Sequence, residues 1–166
     1  DWDRTEMFVL FGVAEDHDSN PIKIGLGKVK GRGKRVVSVN PVQTGYAAIS
    51  DDWYGVTPGT DGLLIMSLIR ELMCSGNIDV DYLRRYTNAS WLVIRNPGSE
   101  DDGLFYRDAD GHPQVLDRKT GVAVPHQTKN VSTAMHGEVL LDSGGVAVPA
   151  FVIISETYMR DSFAPE

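Results

Sequence analysis

Two short polar segments carry the residues of this chain that could do chemistry. Residues 40–44 (Asn-Pro-Val-Gln-Thr) follow an apolar stretch, and residues 58–62 (Pro-Gly-Thr-Asp-Gly) open an apolar helical run. A strand that ends in a polar loop, and a tight turn into a helix, form nucleotide pockets at the carboxyl edge of open α/β sheets. Asp61 could accept two hydrogen bonds from the N1–H and N2–H₂ groups of guanine, which adenine cannot offer. The alternative is that Asp61 only complements the helix dipole while Thr60 caps the helix.

Hydrophobic periodicity predicts the elements that position these segments. The continuous apolar run 7–11 is typical of a parallel strand buried on both faces. Ile22, Leu26 and Val29 share one face of a helix that begins at Pro21. Further strands are predicted at 35–39, 53–56 and 91–94, and further helices at 60–76 and 79–86. This alternation predicts an α/β fold, a Rossmann-like three-layer sandwich with a mostly parallel sheet.

The pattern changes at residue 97, where a polar Pro-Gly segment interrupts it. Glycine-containing turns near residues 110, 120 and 144 predict short β-hairpins, and apolar residues from Ala150 onward have helical spacing. We therefore expect a Rossmann-like core at 1–96, a β-hairpin-rich insertion at 97–149, and a helix within 150–166 that returns to the core.

Composition excludes several classes of partner and site. The net charge of −7 argues against nucleic acid or an anionic membrane as the main partner. The single cysteine, Cys74, cannot hold a cluster or zinc alone, and its position in an apolar helical pattern predicts a small core thiol. No apolar run reaches membrane-spanning length, so no direct membrane insertion is expected. Because the chain begins at Asp1, we expect a processed chain or an excised fragment.

Two segments partly match common ligand-binding motifs, but their position or spacing does not fit those motifs. Residues 25–27 (Gly-Leu-Gly) lie inside a predicted helix rather than between strand and helix, and Asn40 stands where a nicotinamide-binding domain needs a ribose-binding acid. A nicotinamide-dependent dehydrogenase is therefore disfavoured. Residues 108–111 (Asp-Ala-Asp-Gly) have the wrong spacing for a calcium loop, because the glycine comes two positions early, and a hairpin turn accounts for them better.

The order of several segments resembles the molybdopterin oxidoreductases of the dimethyl-sulfoxide-reductase superfamily. They are residues 37–44, 50–53 (Ser-Asp-Asp-Trp), 58–64 (Pro-Gly-Thr-Asp-Gly-Leu-Leu) and the later helix with 85–88 (Arg-Tyr-Thr-Asn). The resemblance covers residues 7–95 well and the hairpin region more loosely. Asn-Pro-Val at 40–42 departs from the family's commoner Asp-Pro-Arg.

The resemblance implies a domain that binds the guanosine and phosphate part of bis(molybdopterin guanine dinucleotide). The loop after the first strand would meet the phosphate and ribose region, and the second loop with the Gly-Thr-Asp turn would embrace the guanosine. The implied cofactor-binding residues are Gly12, Val13, Glu15, Asp18, Ser19, Asn20, Asn40, Pro41, Val42, Gln43, Thr44, Gly59, Thr60 and Asp61. No residue is predicted to be catalytic or to bind metal.

The same resemblance implies a parent enzyme, a molybdenum- or tungsten-dependent oxidoreductase. Its metal ligand, and an iron–sulfur (4Fe-4S) cluster where the parent has one, would lie upstream of this segment. The expected partners are the remaining domains of the parent chain and an electron-transfer subunit. The isolated chain is expected to show no redox turnover. The competing hypothesis is a non-enzymatic domain that binds or senses guanine nucleotides.

Overall fold

The computed structural model describes residues 1–13, 20–43 and 45–159, apart from the side chain of Asn20. Contacts divide the chain into two compact units, Asp1–Leu64 and Ile65–Glu166. The domain boundary predicted at residue 96 differs from this division and stays a prediction. None of the described helices has the combination of length and hydropathy needed to cross a membrane.

The first unit is built on a parallel three-stranded sheet. Its elements are β1 (Met7–Phe11), α1 (Asn20–Gly31), β2 (Arg35–Asn40), a 3₁₀ turn (Gly45–Ile49) and β3 (Asp52–Gly55). The strand order is β1-β2-β3, with Leu10 opposite Ser38 and Ser38 opposite Trp53. Since successive strands are parallel, their carboxyl ends lie at one edge. This arrangement confirms the predicted α/β fold class.

One face of this sheet carries the core of the first unit. The apolar stripe of α1 covers it, because Leu26 and Val29 are buried against Leu10 and Val36. Tyr46 of the 3₁₀ turn completes the cluster and is itself almost fully buried. The helical spacing in the sequence therefore identified the buried face of α1 correctly.

The prediction that β1 is buried on both faces is wrong. Met7 is 57% exposed, and Val9 and Phe11 are also exposed, whereas Leu10 is buried. The reason is that β1 is an edge strand and that α1 covers only the face to which Phe8 and Leu10 belong. A continuous apolar run cannot distinguish this case from a strand covered on both sides.

The second unit contains antiparallel strands and helices. Its elements are α3 (Val80–Tyr86), β4 (Leu92–Arg95), β5 (Gln114–Leu116), β6 (Ala123–Pro125), β7 (Val139–Leu140), β8 (Val146–Pro149) and α4 (Ala150–Tyr158), and α2 (Asp61–Cys74) leads into it. β4 pairs antiparallel with β8, which also pairs with β7, while β5 and β6 form a separate hairpin. The predicted hairpin turns near residues 120 and 144 and the helix from Ala150 are confirmed. Asp79 caps α3, because its carboxylate accepts a hydrogen bond from the Tyr82 amide at 2.8 Å.

Cys74 is not the core thiol that the sequence predicts. Its side chain is exposed and free, at the end of α2. No residue of that helix is buried, although Met73 is half-buried against the apolar cluster of Ala89, Met135 and Phe151. Apolar periodicity indicates which residues share a helix face, but it does not show whether that face is covered.

Asp51 forms hydrogen bonds with the beginning of the central strand, β2. Its carboxylate accepts a hydrogen bond from the Val36 amide at 2.8 Å and another from the Lys30 ammonium at 3.0 Å. Its own amide donates to the Val36 carbonyl at 2.8 Å. The Val36 N–H first, and then Lys30, lower the pKa of the Asp51 carboxyl below its ordinary value. Asp51 therefore ties α1, β2 and the start of β3 together.

The lowered pKa of Asp51 makes its contribution to stability depend on pH. A carboxyl whose pKa is lower in the folded state stabilises the fold above the unfolded pKa, about 3.9, and loses that contribution as pH falls through the folded pKa. We expect Asp51→Asn to lower the thermal unfolding temperature of the chain at neutral pH, with the difference from wild type shrinking as pH falls below about 4.

Thermal unfolding monitored by circular dichroism at a series of pH values measures this difference. Asp3→Asn is the matched control, because the Asp3 side chain is exposed and has no partner among the described residues. A difference between Asp51→Asn and wild type that is the same at pH 7 and at acidic pH would contradict the assignment.

Candidate functional site

The carboxyl edge of the parallel sheet brings together the ends of all three strands. The Gly12 amide, just after β1, donates to the Val39 carbonyl at 3.0 Å. At the next position Asn40 is paired with Gly55 at the end of β3. The three segments that leave this edge therefore start side by side. This is the position at which open α/β sheets bind ligands.

Asn40 is the residue that joins these three segments. Its side chain is 1% exposed, and its amide nitrogen donates to the Val13 carbonyl at 3.0 Å. Its backbone carbonyl accepts from the Trp53 indole N–H at 3.1 Å and from the Val56 amide at 3.4 Å. One residue thus contacts the loop after β1, the strand β3 and the chain that follows β3.

The remaining polar atom of the Asn40 side chain has no hydrogen-bond partner among the described residues. Its side-chain oxygen, Oδ1, is buried and accepts no hydrogen bond from any described residue. An unpaired buried acceptor costs free energy, about 1–3 kcal/mol. Such an atom at a sheet edge fits a ligand group or a further part of the chain that donates a hydrogen bond there.

The loop after β2 is open to solvent at its described positions. Pro41, Val42 and Gln43 are all exposed, and Val42 is 61% exposed. None of these three side chains is needed for a contact with the protein itself. Their exposure therefore leaves them available to a ligand.

The segment before α2 forms a tight turn. The Thr60 amide donates to the Thr57 carbonyl at 3.0 Å, and Gly59 has a φ of +88°. Pro58 and Gly59 occupy the two central positions, which is the residue preference of a type II turn. A Cβ at Gly59 would meet no atom within 4 Å, so the requirement for glycine is conformational and the turn is open on that side. The Thr60 hydroxyl donates to the Thr57 carbonyl at 2.7 Å, which fixes the entry to the helix.

Asp61 is the first residue of α2 and supplies the free acceptor of the site. Its side chain is half-buried, and no described residue bonds to or forms an ion pair with its carboxylate. The Leu63 and Leu64 amides are engaged by the Thr60 carbonyl. Within the described part of the chain, both oxygens of the Asp61 carboxylate are therefore available to a ligand.

The structure brings together most of the predicted site residues that it describes. Val13 is bonded to Asn40, Gly12 is bonded to the preceding residue Val39, and the turn at 57–60 follows Val56, which is also bonded to Asn40. The other predicted residues, namely Glu15, Asp18, Ser19, Thr44 and the side chain of Asn20, lie outside the described residues.

Sequence reasoning missed Trp53 as a support of this edge. Its indole N–H is bonded to the end of β2, and a Cβ at Gly55 would approach the Trp53 ring to 3.0 Å. Gly55, two positions after Trp53, could have indicated this role, because a glycine in a strand often marks a place where another group approaches the backbone closely.

Comparisons with known proteins place the chain as one part of longer relatives. It is 40% identical over 176 aligned residues to a sulfite dehydrogenase subunit of Allochromatium vinosum, a match that covers 100% of the chain and 18% of that protein. It is 22% identical to the respiratory nitrate reductase 2 alpha chain of Escherichia coli, covering 88% of the chain and 12% of that protein. It is 27% identical to the biotin sulfoxide reductase of Cereibacter sphaeroides, covering 61% of the chain and 15% of that protein. No protein-family model matches the chain.

The role of Asn40 is tested by Asn40→Ala. The substitution leaves the Val13 carbonyl without its donor and opens a small cavity, but it also removes the unpaired Oδ1. We therefore expect the free energy of unfolding to fall by less than the ~1–3 kcal/mol that an unpaired Val13 carbonyl alone would cost. Chemical denaturation measures this change, and Gln43→Ala is the control because Gln43 is exposed in the same loop. If both variants had the stability of wild type, the Asn40 side chain would not be what holds this edge together.

Proposed function

Because the chain is homologous to part of the catalytic subunits of molybdopterin oxidoreductases, we propose that it holds the guanosine and phosphate part of bis(molybdopterin guanine dinucleotide). The observation that carries this proposal is the free, half-buried carboxylate of Asp61 at the carboxyl edge of a parallel sheet. The chain spans 18% or less of the lengths of the relatives described above. The activity of the whole protein is therefore part of the proposal.

The guanine base would be recognised by Asp61. A carboxylate accepts two parallel hydrogen bonds from the N1–H and N2–H₂ groups of guanine, and it offers nothing suitable to the corresponding edge of adenine. The exposed residues Pro41, Val42 and Gln43 would line the same pocket from the loop after β2, with Thr44 following them. Gly59 and Thr60 would position Asp61 through the turn geometry.

The ribose and phosphates would lie towards the loop after β1. Gly12 and Val13 begin this loop, and Val13 is fixed by Asn40. The described residues fit a dinucleotide at this edge, since Asn40 Oδ1 is a buried acceptor without a partner. We extend the proposed contacts to Glu15, Asp18, Ser19 and Asn20 on the resemblance alone. Carboxylates there suit ribose hydroxyls or the base, because they would repel a phosphate.

In the parent protein this chain would bind and orient rather than react. When bound, the cofactor supplies oxygen, hydride or electron transfer at its molybdenum or tungsten. The residues of this chain would hold the nucleotide end of the cofactor. The metal ligand, a 4Fe-4S cluster and an electron-transfer subunit would belong to other parts of the assembly.

Asp61→Asn tests the base recognition. The substitution keeps the size of the side chain but replaces one acceptor with a donor. Hydrogen bonds to charged groups contribute about 1.5–3 kcal/mol each, so the preference of the chain for guanosine monophosphate over adenosine monophosphate should fall at least tenfold. Isothermal titration calorimetry with both nucleotides measures the preference.

Asp3→Asn removes the same charge outside the site and should leave the preference intact. If Asp61 served only the helix dipole, Asp61→Asn would cost up to about 1 kcal/mol of stability and would not change the nucleotide preference. A preference for adenosine in the wild-type chain would count against guanine recognition altogether.

A further inference from the structure

A second polar pocket lies entirely within the second unit. Its volume is about 430 Å³, and it lies between the end of α3, the segment 87–91 and the hairpin of β5 and β6. It shares no residue with the carboxyl-edge site. Its lining residues include two arginines, a histidine and a serine, while no described lining residue is acidic. In a chain of net charge −7, a pocket free of carboxylates is a distinct electrostatic environment.

Ser90 supplies a hydroxyl group that lacks a partner within the described part of the protein. The residue is 3% exposed and lines the pocket, yet no described residue forms a hydrogen bond with its side chain. Its hydroxyl can therefore donate a hydrogen bond to a molecule in the pocket.

Two nitrogens of the pocket lining, Arg84 Nε and His126 Nδ1, also lack hydrogen-bond partners among the described residues. Arg84 Nε is buried and has no acceptor, although another nitrogen of the same guanidinium donates to the Asp81 carboxylate at 2.6 Å. His126 Nδ1 is buried without a partner too, and its ring centroid lies 5.0 Å from that of Trp91. An arginine Nε is always a donor, and a histidine Nδ1 is a donor in one neutral tautomer and in the cation.

Arg85 adds a full positive charge to the pocket. It is exposed, and its guanidinium has no partner among the described residues. The described lining thus offers the guanidinium groups of Arg84 and Arg85 and the hydroxyl of Ser90 as donors, and it contains no carboxylate. The complementary ligand group is an oxyanion, which has several acceptor oxygens and carries negative charge.

We propose that this pocket binds the oxyanion of an organic phosphate ester. The volume lies in the range of pockets for small organic molecules, about 300–1,000 Å³, so a bare phosphate ion would leave much of it empty. Trp91 and Val115 provide the apolar part of the lining against which an organic group would pack. Arg85 and Ser90 bind the oxyanion, and the partly exposed guanidinium of Arg84 adds positive charge beside it.

Calorimetric titration of the full-length protein that contains this chain tests the proposal. The probes are phenyl phosphate and inorganic phosphate, in chloride buffer of constant ionic strength. We expect phenyl phosphate to bind at least tenfold more tightly than inorganic phosphate. Arg85→Gln and Ser90→Ala should each weaken phenyl phosphate binding about tenfold, since each removes a donor to the oxyanion.

Two controls make the result specific. Arg118→Gln removes an exposed arginine whose side chain has no partner among the described residues, and it should leave phenyl phosphate binding unchanged. Asp61→Asn should also have no effect, so that failure of the guanosine proposal and failure of this one can be told apart. Arg85 is exposed, so its replacement should not disturb folding, and circular dichroism checks this.

Three results would overturn the proposal. They are the absence of saturable phenyl phosphate binding up to about 10 mM, an equal loss of affinity in Arg118→Gln and Arg85→Gln, and wild-type affinity in both Arg85→Gln and Ser90→Ala. Inorganic phosphate binding as tightly as phenyl phosphate would overturn the assignment of an organic ester and would leave a site for a free oxyanion.

Discussion

The candidate site depends on the hydrogen bonds of one buried amide residue. Asn40 ends the central strand β2, and its side chain and backbone carbonyl contact both neighbouring segments. Because the strands are parallel, their carboxyl ends lie side by side at this edge. Asn40 forms hydrogen bonds with the segments that leave this edge after β1 and after β3, and it therefore sets their spacing. The position of Val13 and of the chain after Val56 both follow from Asn40.

The opposite end of β2 is held by a different kind of group. Asp51 accepts from the amide near the start of that strand and from Lys30 at the end of α1. A charged acceptor suits this end, since it is open to solvent and a cation lies beside it. An uncharged amide suits the carboxyl end, where Asn40 is buried. The central strand is thus fixed at both ends, by chemistry that matches the burial of each end.

The sequence predicted the local features well and the tertiary contacts less well. The face of α1 follows from a spacing of three and four residues, and the Pro58-Gly59 turn follows from the φ that each residue prefers. The exposure of Met7 and of Cys74 could not be predicted, because it depends on which other element covers each face. The role of Asn40 was missed for the same reason. Its partner Val13 is 27 positions away in the chain, whereas the sequence marked Asn40 only as a cofactor contact implied by the resemblance and as the absence of a ribose-binding acid.

The departure from Asp-Pro-Arg to Asn-Pro-Val at residues 40–42 has a physical consequence. A carboxylate at position 40 would place an acceptor oxygen against the Val13 carbonyl, where the amide of Asn40 donates a hydrogen bond. Valine at position 42 adds no charge to the exposed loop. Among the described residues of this edge, Asp61 is then the only charged side chain. A carboxylate can accept paired hydrogen bonds, and the guanine proposed above is a ligand group that offers two donors side by side.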